Sequence, residues 1–267
     1  MIVAVTGGTG FLGRAVVQAL LERGEQVRCL VRRGSSAPDG VQVVPGDLAD
    51  AAALRALVAG ADAVLHLAAL MGSRDERALQ AVNVHGTRAV LAAAKAAGVG
   101  RFVLVSSVAA GRPDHGAYSR SKADAEAVVR DGTVPWVIVR PPVLIGPGSQ
   151  VERTLKNLGR LPLVPVISGG APLRPVQVQD AARACVEAAR APDAAGIWTL
   201  AGPEDLSFLT LSRRTLQGLG SRARTVPLPG RLALLIAGVA ERVLPAPPLT
   251  VEGVRAVLAG SPPGGRA

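Results

Sequence analysis

The chain has 267 residues, 49% of them hydrophobic and 19% charged, with 31 Gly, 20 Pro and two Cys. That length buries a substantial core, and the composition excludes a disordered, tail-like protein. The net charge of +10 raises nucleic-acid binding, but aromatics make up 2% of the chain and no basic run exceeds Arg32-Arg33 or Arg213-Arg214, so an arginine-rich solvated surface is the better reading and no nucleic-acid partner is expected.

In chain order, β-rich apolar runs predict strands at Ile2–Val5, Gln26–Val31, Gln42–Val44, Ala63–His66, Phe102–Val105 and Trp136–Val139. Ala-rich periodic stretches between them predict helices at Phe11–Leu21, Ala51–Val58, Arg77–Ala97 and Ser119–Arg130, with Gly24, Gly60 and Gly98 placed as left-handed caps. Strands alternating with helices imply an α/β fold, a doubly wound parallel sheet of Rossmann type. After Arg140 prolines become frequent and the alternation fades. A strand–helix pair is expected at Pro175–Ala189, a strand at Ile197–Leu200, and helices near Leu206–Gly218, Leu232–Val243 and Val251–Leu258. The expected division is a dinucleotide-binding domain over 1–142 plus 175–200, a small C-terminal α/β substrate lobe over 143–174 plus 201–260, and a flexible tail over 261–267.

The first strand runs into Thr6-Gly7-Gly8-Thr9-Gly10-Phe11-Leu12-Gly13 and then an amphipathic helix. Gly7 suits the tight turn, Gly10 the approach of a pyrophosphate, and Gly13 close helix–strand packing, with the helix N-terminus turned to the phosphates. The second strand ends in Arg32-Arg33 where a NAD site wants an acid. Guanidinium groups suit a 2′-phosphate, so NADP is favoured over NAD. Tyr118 is the single tyrosine, and Lys122 follows it by one helical turn, so the two share a face. A lysine cation there would lower the phenol pKa and make Tyr118 an acid/base group. Ser106-Ser107 close the fifth strand, at the edge where open α/β sheets hold ligands.

These residues, with Asp47-Leu48, His66-Leu67-Ala68-Ala69, Asn83, Gly86-Thr87 and Arg140-Pro141-Pro142-Val143 through Gly148, make the chain resemble the extended and atypical short-chain dehydrogenase/reductases, the NAD-dependent epimerase/dehydratase group. Pro165–Gly170 and Arg174–Asp180 are similar to bacterial relatives of the dehydrogenase-like accessory subunit of respiratory complex I, and Pro247-Pro248-Leu249-Thr250 is too. The resemblance implies an NAD(P)-dependent oxidoreductase or epimerase-type enzyme moving hydride between nicotinamide and a hydroxyl or carbonyl carbon. Tyr118, Lys122 and Ser107 would be catalytic. Gly7, Thr9, Gly10, Phe11, Leu12, Gly13, Arg32, Arg33, Asp47, Leu48, Leu67, Ala68, Ala69, Ser106, Pro141 and Val143 would bind the cofactor with Tyr118 and Lys122. It also offers an alternative, a non-catalytic cofactor-binding accessory or assembly factor of a respiratory membrane complex.

His66, His85 and His115 have no metal-like spacing, so no metal is expected. Asp180 reads as an N-cap or as a residue that orders the lobe, rather than as a catalytic acid. Cys29 and Cys185 read as buried thiols of a reducing compartment, and the N-terminus, with no leader-like segment, as that of a cytoplasmic protein. A small-molecule substrate is the expected partner, and exposed sheet helices pairing into a homodimer are a further expectation. Leu232, Leu235, Ile236, Val239 and Val243 share one side of a helix with Arg231, Glu241 and Arg242 at its ends. Lobe packing is the ordinary reading, and peripheral contact with an anionic membrane the other.

Overall fold

A computed structural model of the protein describes residues 1–112, 116–244 and 249–261. His115, Pro247, Pro248 and all but the first residue of the expected tail lie outside the described residues. The elements are β1 (Ile2–Thr6), α1 (Phe11–Leu21), β2 (Gln26–Val31), β3 (Gln42–Pro45), α2 (Ala51–Val58), β4 (Ala63–His66), α3 (Glu76–Leu79), α4 (Gly86–Ala96), β5 (Arg101–Val105), α5 (Gly116–Arg130) and β6 (Trp136–Arg140). They continue as β7 (Leu144–Ile145), α6 (Gln150–Leu158), β8 (Leu163–Ser168), β9 (Val176–Gln177), α7 (Val178–Arg190), β10 (Gly196–Thr199), α8 (Phe208–Gly218), β11 (Arg224–Pro229), α9 (Gly230–Val243) and α10 (Val251–Ala259).

The main sheet is parallel, seven-stranded, in the order β10-β6-β5-β4-β1-β2-β3. Its central strands are buried on both faces, which is why they read as unbroken Val/Ile/Leu runs rather than as an alternation. One face packs on α1 and α7 around Val5, Val17, Cys29, Val103 and Cys185. The other packs on α2, α4 and α5 around Leu54, Leu57, Val90, Phe102 and Ile138. Chain order reverses between β1 and β4, so the carboxyl ends of those strands open a crevice at the switch point.

Three expectations are corrected. The stretch expected as one helix over Arg77–Ala97 is α3, a π-helical turn at Gln80–His85, then α4. The lobe contains elements with no expectation behind them: β7, α6, and the parallel pair β8–β11. Pro165, Pro227 and Pro229 sit in that pair, and proline demotes a run read from sequence alone. In a two-stranded sheet every strand is an edge, so a missing N–H can face away from the partner. Third, Asp180 lies inside the first turn of α7 and pairs with Arg183, while Gln177 holds the N-cap position without a side-chain bond.

The lobe has its own small cores, one at Leu155, Val164, Val166 and Leu216, another at Ile167, Ala233, Ala237 and Val254. Helix α9 enters the second through Ala233 and Ala237. Its expected packing stripe is turned outward instead: Leu235 is 65% exposed, Val239 53% and Val243 72%, with Leu232 and Ile236 exposed beside them. The small alanines admit the close approach to Ile167 and Val254, which leaves the larger side chains on the far side.

Candidate active site

The loop after β1 is shaped by what it leaves out. Gly7 has φ +74°, and a Cβ on it would lie 2.6 Å from the Ala68 backbone nitrogen. The loop therefore rests directly on the segment leaving β4. Gly13 meets the same loop from α1, where a Cβ would lie 2.0 Å from the Gly7 carbonyl oxygen. Gly10, at the N-cap of α1, gives no side-chain cap, so Phe11, Leu12 and Gly13 open the helix with its positive end turned to the crevice. Thr9 sits in the loop, and its carbonyl accepts from Arg14 Nε at 3.2 Å while Arg14 Nη2 donates to the Ser36 carbonyl at 3.0 Å. Arg14, which the sequence reading passed over, ties the phosphate loop to the segment carrying Arg32 and Arg33.

Behind the loop runs a buried polar chain that the sequence reading underrated. Thr6 Oγ1 and His66 Nδ1 are 2.6 Å apart, and His66 Nε2 and Thr87 Oγ1 are 3.0 Å apart. Thr87 donates its hydroxyl proton to the Asn83 carbonyl at 2.6 Å, so it accepts from His66, which fixes His66 as the neutral Nε2–H tautomer with Nδ1 accepting from Thr6. Burial, then the Lys122 charge, pushes His66 down to about 3, in keeping with that neutral ring. Asn83 Oδ1 accepts from the Leu70 N–H at 2.7 Å, and its amide donates to the Leu70 carbonyl and to Ser121 Oγ. The π-turn at Gln80–His85 holds Asn83 toward both partners. The network joins β1, β4, the π-turn and α5, and so holds the loop at 67–70 against the helix that carries Tyr118. Asn83 is thereby committed to Leu70 and Ser121.

Tyr118 and Lys122 share the inner face of α5 with Glu126. Lys122 Nζ donates to the Val105 carbonyl, the last of β5, at 2.8 Å. Burial lowers Lys122 to about 8, opposed by the Glu126 carboxylate. Glu126 is fully buried and takes a charge-assisted pair from Arg140 at the end of β6, with Nε to Oε1 at 2.8 Å. Ser106 Oγ is buried with no partner among the described residues, while Ser107 Oγ accepts from the Ala109 N–H at 3.1 Å and keeps its own proton to give.

The expected depression of the Tyr118 pKa is reversed. Burial, then the charge of Glu252, pushes the phenol up to about 12. Glu252 comes from α10: its carboxylate lies over Gly116, where a Cβ would meet Cδ at 2.8 Å, and interacts with the Tyr118 backbone N–H. No spacing in the sequence connects the two, since Glu252 belongs to the lobe and Tyr118 to the sheet domain. Because Tyr118 is the only tyrosine, the effect can be titrated directly. Because burial, the larger cause, stays in place, Glu252→Gln removes only the electrostatic part of the shift. Tyrosinate absorbance then appears at lower pH than in the wild type while still above the ordinary phenol value of 10. Circular dichroism at each pH confirms that the fold persists, and identical titrations in the two proteins would disprove the coupling.

The other predicted residues lie around the same edge. Arg32 and Arg33 are exposed just past β2. Asp47 Oδ1 accepts from the Ala49 N–H, and Leu48 packs over Gly86, where a Cβ would fall 2.6 Å from its Cδ1. Leu67 and Ala68 are partly buried under the loop, Ala69 is exposed, and Pro141 is buried past β6. The Val143 carbonyl is taken by the Val176 N–H at 3.0 Å, which joins the crevice to the lobe. A glycine cradle at an uncapped helix end, a crevice at the switch point and an orphaned Ser106 hydroxyl fit a dinucleotide.

Residues 7–192 match the NAD(P)H-binding family. Among curated relatives, a ceramide reductase of Caulobacter vibrioides is 38% identical over 235 residues, covering 85% of this chain and 74% of the relative. A 2-alkyl-3-oxoalkanoate reductase of Stenotrophomonas maltophilia is 33% identical over 293 residues, covering 94% of this chain and 87% of the relative. The UDP-glucose 4-epimerase of Thermus thermophilus in complex with NAD shares the fold at 24% identity with a TM-score of 0.74, covering 96% of this chain and 99% of that one. The chain thus belongs to the NAD(P)H-binding, epimerase/dehydratase-like group of extended short-chain dehydrogenase/reductases, enzymes of the NAD(P)-dependent reductase type.

Proposed function

We propose that the protein reduces the carbonyl of a long-chain, lipid-like substrate, with NADPH preferred over NADH, in the cytoplasm. The observation that carries the direction is Tyr118. Its phenol is protonated at neutral pH, and burial and Glu252 push it further up, so it is in the form that gives a proton to a carbonyl oxygen. A bound reduced nicotinamide supplies the hydride. Ser107 keeps a hydroxyl proton for the same oxygen, which orients the carbonyl before Tyr118 Oη releases its proton. Lys122, with one N–H on Val105, has two left for ribose hydroxyls.

The substrate class draws on the two reductases above, named for ceramide and for an oxoalkanoate bearing an alkyl branch. It also draws on Arg174, whose charge is partly offset by Asp205, with Nε 3.4 Å from Oδ1, and so is less suited to a sugar diphosphate. Buried, unpaired Cys29 and Cys185 suit a reducing compartment. Turnover of NADPH with a 2-alkyl-3-oxoalkanoate, and none with a UDP-sugar, is the expected result; the opposite pattern would overturn the substrate class.

The NADPH preference draws on Arg32 and Arg33 and on the missing acid at the end of β2. Replacing both arginines by aspartate raises KM for NADPH by about tenfold or more and leaves KM for NADH nearly unchanged. Equal effects on the two cofactors would remove the arginines from the 2′-phosphate. The likeness to the respiratory accessory subunit carries a second reading, cofactor binding without turnover. Its segments form β8 of the lobe and the β9–α7 junction, whose helix packs on the main sheet.

A further inference from the structure

Helix α9 has two apolar faces and one lobe to bury them in. Ala233 and Ala237 pack inward, while Leu232, Leu235, Ile236, Val239 and Val243 stay exposed along the outer side. At 3.6 residues per turn those five fall within about 100° of one another, with no charged residue among them. Arg231 and Arg242, eleven positions apart and thus about 20° apart around the axis, both border the stripe on the side of Leu235. Glu241 is turned away from this surface: its carboxylate accepts from the Val251 N–H at 2.9 Å and its carbonyl from Arg74 Nη1 at 2.9 Å. The outer side of α9 is therefore apolar with a cationic border, and the helix's single acid is held within the lobe.

We propose that α9 docks the protein on the surface of an anionic lipid bilayer, its outer stripe in the acyl–headgroup boundary and its arginines among lipid phosphates. A second copy of the chain would fit less well, because antiparallel two-fold pairing of the stripes would bring arginine borders of the same sign together. Anionic headgroups complement that border, and the whole chain carries +10. Among the described residues no helix is long and apolar enough to cross a membrane, so α9 lies on the bilayer rather than through it.

The inner side of α9 is tied to two segments that reach the active site. Arg74 belongs to the segment leaving β4, the one that rests under the phosphate loop at Ala68, and it holds the C-terminal turn of α9. Met71 on that segment is 60% exposed. From the other side, Glu241 holds the start of α10, whose Glu252 lies over the Tyr118 helix. Docking stands on the stripe alone and does not require the substrate reading.

Co-sedimentation of the full chain with phosphatidylglycerol vesicles and with phosphatidylcholine vesicles tests it without turnover. Binding to phosphatidylglycerol at low salt, weakened by added salt and by neutral lipid, is expected. Leu235→Gln with Val239→Gln, both on exposed positions, should weaken it by about a hundredfold while NADPH binding stays as in the wild type. Wild-type protein left in the supernatant with phosphatidylglycerol at low salt would overturn the proposal. So would unchanged binding of the double variant, or a dimer in sedimentation velocity that the same substitutions dissolve while vesicles fail to compete with it.

Discussion

Replacing Tyr118 by phenylalanine is expected to lower kcat for carbonyl reduction by about a thousandfold, with the Kd for NADPH unchanged. The substitution removes one hydroxyl from a side chain whose ring packing is kept, so the cost falls on the step that needs a proton. That proton is held firmly, since burial and Glu252 keep the phenol up to about 12. No nearby side chain replaces it easily. His66 is buried, neutral and held at both ring nitrogens by Thr6 and Thr87. Lys122 is held to Val105, and its pKa near 8 means that reduction also falls as the pH rises through that value and the cation is lost. The single-turnover rate with NADPH and an oxoalkanoate is the measurement, paired with fluorescence titration of cofactor binding. A kcat within tenfold of the wild type would remove Tyr118 as the acid and favour the accessory reading.

Gly13→Ala is the second change with a large expected effect, and it acts by space alone. A Cβ there would lie 2.0 Å from the Gly7 carbonyl oxygen and 2.8 Å from the Gly8 Cα. Both contacts are backbone, so no side chain can swing aside and the phosphate loop itself must move. Affinity for NADPH should fall by about a hundredfold or more, because the loop's N–H groups and the α1 N-terminus lose their common geometry. Gly24→Ala is the contrast. Its φ is +74° and nothing lies within 4 Å of the added carbon, so it costs about 1 kcal/mol of backbone strain and leaves cofactor binding alone. Calorimetry with NADPH and thermal unfolding of both variants separate the two effects. Wild-type affinity in Gly13→Ala would show that the loop tolerates displacement and does not cradle the cofactor.

The two variants probe parts of the molecule that were legible to different degrees. Gly7, Gly10 and Gly13 could be read because their function depends on local chain geometry, a turn between a strand and the helix it enters. The strands from β1 to β6 and helices α1, α2 and α5 could be read for a similar reason. Each carries an apolar pattern set by burial on the main sheet, and the sheet's layers are regular. The lobe has no such regularity. Its strands β8 and β11 are edges that accept prolines, so their pattern looks like loop until the partner strand is known. The π-turn in the stretch from α3 to α4 was equally hidden, since the groups its Asn83 meets, Leu70 and Ser121, are distant in sequence.

The sequence by itself determined the parallel α/β class, the phosphate loop, the missing acid after β2 and the Tyr118–Lys122 spacing on one helix face. All of these follow from the order of neighbouring residues and from the periods of strand and helix. Only the tertiary structure decided the charge that acts on Tyr118 and the face that α9 leaves open. Spacing suggested that Lys122 would draw the phenol down, yet burial pushes it up, and Glu252, which the lobe brings over Gly116, adds to that. Periodicity marked an apolar stripe on α9 without saying which side the lobe would take. The lobe took the alanines, because a close helix contact needs small side chains, and the leucines were left to face outward.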